Sequence, residues 1–172
     1  MTQTEENLKA AFAGESQARN KYTFYAEAAR AEGYMYIAKI FEETAMNEMQ
    51  HAKDEFTRLG MLGDTKANLK AAMEGEAEET MNMYPSFAKT AEEEGNADAA
   101  RLFRQVGKVE EHHRARYEKI LKMLNDGTLY KRDEPIEWKC GKCGFTYVGT
   151  EAPKKCPGCG AEQGWFEPSD IF

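Results

Sequence analysis

Two short stretches, "EMQHA" at residues 48–52 and "EEHHRA" at residues 110–115, each place a glutamate three residues before a histidine. In a helix, positions i and i+3 lie on one face, so each glutamate points the same way as its histidine. Carboxylate and imidazole groups both bind metal ions, which makes each pair a candidate half of a metal site. One pair would carry little weight, but two matched pairs in one chain predict a shared site.

The sequence around the two pairs repeats at an offset of 62 residues. Two helical hairpins related by a pseudo-two-fold axis would bring both glutamate–histidine pairs to a common centre. Carboxylate-bridged metal pairs are built in this way inside four-helix bundles. The matched residues are Tyr22/Tyr84, Ala26/Ala88, Ala29/Ala91, Glu32/Glu94, Gly33/Gly95, Ala38/Ala100, Phe41/Phe103, Glu48/Glu110 and His51/His113.

Residues 4–124 read as four long helices, because apolar residues recur there at helical spacing and proline occurs only at position 85. The predicted helices cover residues 4–31, 34–59, 65–94 and 96–124. A capping box of Thr2 and Glu5 is expected to begin the first helix. The predicted fold class is therefore mainly α, with a four-helix bundle in residues 1–127.

The composition changes after the last helix to Pro, Gly, Cys and aromatic residues. This change predicts a linker at residues 128–136 and a small module at residues 137–172. The module holds two Cys-x-x-Cys pairs, Cys140/Cys143 and Cys156/Cys159, whose thiolates can form a tetrahedral site. The spacing alone leaves zinc and a single iron open.

Charge and hydropathy exclude several classes of function. The net charge of −7 and the pI of about 5.2 argue against a nucleic-acid partner. No apolar run approaches the roughly 18 residues that suggest a membrane span, and the first residues lack the pattern of a signal peptide. We expect a cytoplasmic protein, in which paired cysteines bind metal rather than form disulfides.

A di-metal bundle also needs carboxylates from its other two helices. Glu15 lies on an otherwise apolar stripe of the first helix, and Glu76 and Glu79 follow one another at i and i+3 in the third. The repeat slips by one residue here, because Glu15 plus 62 falls on Ala77. Buried carboxylates without compensation would be strongly destabilising, and two bound cations remove that cost. The alternative for any one glutamate is a solvated helix face.

Five motifs together resemble those of the rubrerythrins across the whole chain: "FAGESQARNKY", "NEMQHA", "GEAEETMNMYPSFA", "VEEHH" and "WKCGKCGF…APKKCPGCG". The resemblance implies a ferritin-like di-iron site that reduces hydrogen peroxide to water, and a rubredoxin-like module that relays electrons. It implies bridging roles for Glu48 and Glu110, and an exchange of ligands between Glu79 and His51 on reduction. The implied iron ligands are Glu15, Glu48, His51, Glu76, Glu79, Glu110 and His113, with one further iron on Cys140, Cys143, Cys156 and Cys159.

Tyr22 and Tyr84 match tyrosines that lie near the iron pair in that family, so the resemblance implies hydrogen bonds to bound peroxide. Ordinary core packing is the alternative for both. The implied partners are hydrogen peroxide and an electron-donor protein of the rubredoxin or flavoprotein reductase type. Two other functions stay open: iron oxidation and storage, and a structural zinc ribbon beside an empty bundle.

The connection between the second and third helices predicts how the chain assembles. In the ferritin-like arrangement these two helices run the same way, so their connection must travel the length of the bundle. About five residues reach under roughly 20 Å, whereas helices of about 25 residues span close to 40 Å. We therefore expect a domain-swapped homodimer through residues 60–64. The alternative is an up-down-up-down monomer.

Overall fold

The computed structural model describes residues 2–170, which form five α-helices followed by a small antiparallel sheet. The helices are α1 (Gln3–Ala31), α2 (Met35–Arg58), α3 (Thr65–Glu78), α4 (Tyr84–Glu93) and α5 (Ala97–Asp126). The strands are β1 (Lys131–Cys140), β2 (Thr146–Glu151) and β3 (Phe166–Pro168). These elements form two compact units, one ending at Asp64 and the other beginning at Thr65.

The first unit is an antiparallel hairpin of α1 and α2. The predicted capping box begins it, because the Glu5 amide donates to the Thr2 hydroxyl while the Glu5 carboxylate accepts from the Thr2 amide at 2.7 Å. The turn between the helices passes through Gly33, whose φ of 88° is strained for other residues. The rings of Phe12 and Phe56 pack against each other at the far end, tilted by 38° with centroids 5.1 Å apart.

The third predicted helix, residues 65–94, is interrupted in the structure. A π-helical turn, Glu79–Met83, separates α3 from α4. Such a turn accommodates one extra residue within a helix and often occurs at functional sites. It explains the slip in the repeat, because eight positions separate Glu76 from Tyr84 where only seven separate Glu15 from Tyr22.

Alanine dominates the contact between paired helices in both units. Among residues 2–170, every helical side chain that is buried is an alanine. Six of them form three pairs at equivalent positions in the two halves of the repeat: Ala26 and Ala88, Ala29 and Ala91, Ala38 and Ala100. Large apolar side chains stay partly exposed on both hairpins, so neither hairpin has a core of its own.

The C-terminal module is a three-stranded sheet in the order β2-β1-β3, with both pairings antiparallel. Trp138 on β1 is fully buried at its centre and donates through Nε1 to the Gly149 carbonyl at 2.9 Å. Strand β1 begins at Lys131, so most of the segment predicted as a linker, residues 128–136, belongs to the sheet.

No helix in the described part of the chain combines the length and the apolar character that crossing a bilayer requires.

Candidate metal centres

The first hairpin gathers three of the predicted ligands at mid-length. Glu15 on α1 meets Glu48 and His51 on α2, and one ligand atom from each lies within 4.8 Å of the others. The His51 Nδ1 atom is 2.9 Å from Glu48 Oε2 and 3.6 Å from Glu15 Oε2. The i, i+3 spacing places Glu48 and His51 on one face, as the sequence predicts.

The second hairpin repeats this arrangement with its own residues. Glu76 on α3 meets Glu110 and His113 on α5, again with ligand atoms within 4.8 Å of one another. The His113 Nδ1 atom is 2.6 Å from Glu110 Oε2 and 3.7 Å from Glu76 Oε1. The adjacent His112 is exposed and lies outside the cluster, as its position on the helix predicts.

In each cluster, a neighbouring carboxylate contributes to a raised pKa of one glutamate. The hydrogen bond with Glu48, followed by burial, raises the pKa of Glu15. Burial, followed by the hydrogen bond with Glu110, raises the pKa of Glu76. The hydrogen bond with Glu48 also raises the pKa of the His51 imidazole. Each cluster is thus a concentration of negative charge that a bound cation would relieve.

Glu79 is the one predicted helical ligand outside the two clusters. It is the first residue of the π-helical turn and is partly buried. Its charge nevertheless acts on the site, because it contributes to the raised pKa of Glu76 and of Tyr84. Glu79 therefore lies beside the second cluster rather than in it.

The two predicted tyrosines lie in matching aromatic groups. The ring of Tyr22 is 6.1 Å from Tyr25 and 6.3 Å from Phe41. At the equivalent place Tyr84 is 6.5 Å from Phe87 and 6.3 Å from Phe103. Burial, followed by the charge of Glu79, raises the pKa of the Tyr84 hydroxyl, so this phenol stays protonated and can donate a hydrogen bond.

Glu55 is a carboxylate beside the first cluster that the sequence reading missed. Its Oε2 atom is buried without a hydrogen-bond partner, and its charge raises the pKa of Glu15. The sequence does indicate this carboxylate, because Glu55 follows His51 at i+4 and so shares its helix face. Glu55 stands near the first cluster much as Glu79 stands near the second.

The four cysteines converge at one end of the C-terminal sheet. The Sγ atoms of Cys140 and Cys159 are 3.9 Å apart, and those of Cys143 and Cys156 are 3.6 Å apart. A disulfide needs about 2.05 Å, whereas tetrahedral thiolates at about 2.3 Å from a metal are roughly 3.8 Å from one another. The geometry fits a metal ion.

Two matching turns hold these thiols. The Gly144 amide donates to the Cys140 carbonyl, and the Gly160 amide donates to the Cys156 carbonyl, both at 2.8 Å. Cys140 and Cys156 are buried whereas Cys143 and Cys159 are exposed, so one side of the site faces solvent.

The thiols differ in acidity. Burial raises the pKa of Cys140, but the backbone amides of Cys143 and Lys142 and the neighbouring thiols outweigh it and bring the value to about 7. The Phe145 amide lowers the pKa of Cys143, but Cys159, burial and the other thiols raise it to about 12.

The donor sets also fit the metals. Carboxylate oxygens with one imidazole per cluster suit iron or manganese, and four thiolates suit zinc or a single iron.

Comparison with known proteins identifies both parts of the chain. The family model described as "Rubrerythrin" matches residues 6–121, and that described as "Rubrerythrin, rubredoxin-like domain" matches residues 138–167. A rubrerythrin from Porphyromonas gingivalis is 46% identical over 180 residues, covering 97% of this chain and 90% of that protein. Rubrerythrin-1 from Clostridium acetobutylicum is 48% identical over 183 residues, covering 96% and 94%.

A solved structure described as "Partially Reduced State of Nigerythrin" is 34% identical, with a TM-score of 0.38, and covers 98% of this chain and 87% of that chain. The family matches confirm the predicted fold class, a ferritin-like helical part followed by a rubredoxin-like module. They also confirm the predicted cofactors, a di-iron carboxylate site and a four-cysteine iron site. The chain belongs to the rubrerythrin family.

Proposed function

We propose that this chain is a hydrogen peroxide reductase that draws its electrons through its own four-cysteine site. The reaction takes one peroxide, two protons and two electrons, breaks the O–O bond and releases two waters. The observation that carries this proposal is the presence, in one chain, of two matched carboxylate–histidine clusters and a tetrathiolate site. A cytoplasmic setting is part of the proposal, because thiolate sites persist in reducing compartments.

The proposed di-iron ligands are the seven helical residues predicted from the sequence. Glu48 and Glu110 suit a bridging role, because each interacts with both other members of its cluster. Glu48 contacts His51 and hydrogen-bonds Glu15, while Glu110 contacts His113 and hydrogen-bonds Glu76. When bound, the irons would supply the electrons for O–O cleavage and the Lewis acidity that polarises the peroxide.

The remaining residues would change the set of iron ligands and orient the bound peroxide. The partly buried position of Glu79, beside the second cluster but outside it, supports a carboxylate that exchanges with His51 on reduction. The hydroxyl of Tyr84, kept protonated by its surroundings, would donate a hydrogen bond to a peroxide oxygen, and Tyr22 would do so from the first hairpin. We assign Tyr22, Tyr84, Glu79 and His51 as the catalytic residues.

Electrons would enter at the module from an outside protein donor, of the rubredoxin or flavoprotein reductase type. The exposed Cys143 and Cys159 support entry from the solvent side of the tetrathiolate site. Replacing Cys156 with Ser should remove this route. We expect a variant whose di-iron site still loads and still responds to a small chemical reductant, but which the protein donor no longer reduces.

Stopped-flow oxidation of the fully reduced protein tests the reaction itself. Peroxide should oxidise the di-iron pair much faster than O2 does. Faster oxidation by O2 would overturn the peroxidase assignment, and retention of many irons per chain after aerobic loading would favour iron storage instead.

The proposal includes a domain-swapped homodimer. Six residues, 59–64, connect α2 to α3 and reach about 20 Å, whereas the 24 residues of α2 span about 36 Å. A parallel α2 and α3 in one bundle therefore cannot come from a single chain. Equivalent large side chains stay exposed on the two hairpins, Tyr25 with Phe87 and Ile40 with Leu102, which supports packing against a hairpin of another copy.

Mixing two inactive variants tests the swap. In a swapped dimer each di-iron site takes Glu48 from one chain and Glu110 from the other. Co-refolded Glu48→Ala and Glu110→Ala chains should then form heterodimers with one intact site and one doubly altered site, and part of the activity should return. Heterodimers without di-iron would overturn the swap in favour of the up-down-up-down monomer.

A further inference from the structure

One arginine joins the C-terminal module to the segment that follows α5. Arg132, at the start of β1, has a side chain that is only 13% exposed. Its Nε donates to Asp170 Oδ2 at 2.6 Å and its Nη2 to Asp170 Oδ1 at 2.8 Å, a bidentate contact across 38 residues of sequence. Bidentate, charge-assisted pairs of this kind fix orientation more firmly than single contacts do.

The same guanidinium makes two further sets of contacts. Its Nη1 donates to the carbonyls of Thr128 at 2.9 Å and Lys131 at 2.6 Å, in the turn after α5. Its central carbon lies 5.3 Å from the ring centre of Trp138, which belongs to the same buried cluster as Cys140. Arg132 therefore links the turn after α5 to the wall of the tetrathiolate site.

Asp170 is held from the helix as well. Lys119 on α5 donates through Nζ to the Asp170 carbonyl at 2.9 Å. About two turns earlier along the same helix are Glu110 and His113. The contact therefore joins the chain segment after β3 to the helix that carries two of the three residues of the second cluster. The Arg132 guanidinium lowers the pKa of the Asp170 carboxyl, which keeps the pair charged at neutral pH.

Besides these contacts, the Arg132 Nη2 atom lies 3.9 Å from Met123 Sδ on α5, and the Tyr130 carbonyl in the connecting segment accepts a hydrogen bond from the Ala152 amide at 3.0 Å. Helix α5 ends at Gly127, which adopts a left-handed conformation with φ of 69°, and β1 begins four residues later. A short turn through glycine would let a small module swing about the helix end.

We propose that Arg132 and Asp170 are positioning residues for electron delivery, a clamp that holds the four-cysteine module in one orientation on α5. The distance over which an electron leaves the module is then set by the helices rather than by a flexible turn. This inference rests on the electron-relay role in the proposed function.

The first test measures orientation without any peroxide chemistry. Nitrogen-15 relaxation of the full chain, with zinc in the four-cysteine site, reports how the module and α5 tumble. We expect module amides to share the correlation time of α5 in the unaltered chain and in Lys155→Gln, which removes only an exposed ion pair with Glu162. In Arg132→Gln and in Asp170→Asn the module should tumble separately, with Arg132→Lys intermediate.

The second test measures electron delivery in the iron-loaded protein. After one turnover of the fully reduced protein with peroxide, the return of ferric-thiolate colour reports the electron leaving the module. We expect it to slow by about tenfold in Arg132→Gln and Asp170→Asn, as small displacements of reacting groups do. Oxidation of the di-iron pair should keep its rate, and the ferric-thiolate spectrum should show that the module is folded.

Each outcome decides a different point. A module that still tumbles with α5 in both variants, or one that loosens without slower electron delivery, overturns the positioning role. A variant that loses the thiolate spectrum shows a folding role instead, which also overturns it. If peroxide fails to oxidise the di-iron pair of the unaltered chain, the proposed function fails while the relaxation result still stands.

Discussion

The two hairpins carry the same cluster on frameworks that differ in three places. The ion pair beside each inter-helix turn keeps its position but reverses its sign: Arg30 binds Glu42 in the first hairpin, whereas Glu92 binds Arg104 in the second. Only the second hairpin has the π-helical turn, and only there does a glycine, Gly107, replace the buried alanine of the first, Ala45. The metal-binding geometry therefore tolerates these three changes, provided that the ligand face is kept.

Gly107 borders a groove in the second hairpin. This groove, of about 420 Å³, runs between α4 and α5, with Tyr84, Ala88, Phe103 and Gly107 among its lining residues. Thr80, whose hydroxyl is buried without a partner, also borders it.

A second groove, of about 320 Å³, lies between α1 and α2, with Phe12, Met49, Ala52 and Phe56 among its lining residues. The two hairpins therefore differ in where their open space lies, beside Tyr84 in the second and beside Phe12 and Phe56 in the first.

The largest expected effect is the same for a substitution in either hairpin. Glu48→Ala and Glu110→Ala should each abolish di-iron binding while the four-cysteine iron remains, because each removes the central carboxylate of its cluster. Metal analysis with the ferric-thiolate absorbance measures both sites at once. His112→Ala, an exposed neighbour, is the matched control and should keep all the iron. If either glutamate variant keeps its di-iron, the two clusters do not serve one site.

Removing the π-helical turn should have the second-largest effect. Deleting Met81, an exposed residue of that turn, makes the spacing from Glu76 to Tyr84 the same as that from Glu15 to Tyr22. We expect a continuous helix that still binds iron but reacts with peroxide about 10–100-fold more slowly, because Glu79 loses its place beside the cluster. Met81→Ala keeps the chain length and is the control. Equal rates for the two would show that the turn has no role in the reaction.

Replacing the two tyrosines should reveal a smaller difference in reaction rate between the hairpins. Tyr84→Phe should slow peroxide reduction by about tenfold with iron content unchanged, because a hydrogen-bond donor beside the cluster is lost. Tyr22→Phe should have a smaller effect, since Tyr84 lines the groove of the second hairpin whereas Tyr22 is not among the residues that line the groove of the first. Single-turnover rates at matched iron content measure the difference. Unchanged rates in both variants would assign the two tyrosines to core packing.

The smallest effects should come from exchanging alanine and glycine at positions 45 and 107, and the two changes in stability should have opposite signs. Ala45→Gly should destabilise the protein by about 1 kcal/mol, the usual difference in helix propensity. Gly107→Ala should stabilise it by about 0.5 kcal/mol. Its new methyl group would lie 3.2 Å from Tyr84 Cβ, and the groove lets that ring move. Denaturant unfolding compares them, and a destabilised Gly107→Ala would mean that Tyr84 is held rigidly.

The sequence predicted what short-range spacing determines. Glu48 with His51, and Glu110 with His113, share faces because a helix repeats every 3.6 residues. The need of a di-metal bundle for carboxylates from its other two helices then pointed to Glu15 and Glu76. The sequence showed that the repeat shifts by one residue near Glu76. It could not show where the helix accommodates that extra residue, because more than one backbone conformation can accommodate a single insertion.

Other features depend on contacts that no local pattern reveals. Arg132 and Asp170 belong to no motif and lie far apart in the chain, so only the folded module brings them together. Glu79 fits the ligand spacing, yet it lies outside the cluster because the π-helical turn begins at that residue.

The paired alanines set the distance between the helices and therefore the distances between the ligand atoms. Helix axes approach to about 8–10 Å according to the side chains at their contact, so a leucine at Ala38 or Ala100 would move the axes apart by one or two ångströms. The ligand atoms of each cluster all lie within 4.8 Å of one another, and such a shift would exceed what carboxylate rotation can absorb. Residues with no affinity for metal thus determine whether metal can bind, and intolerance to substitution should extend along both hairpins far beyond the ligands themselves.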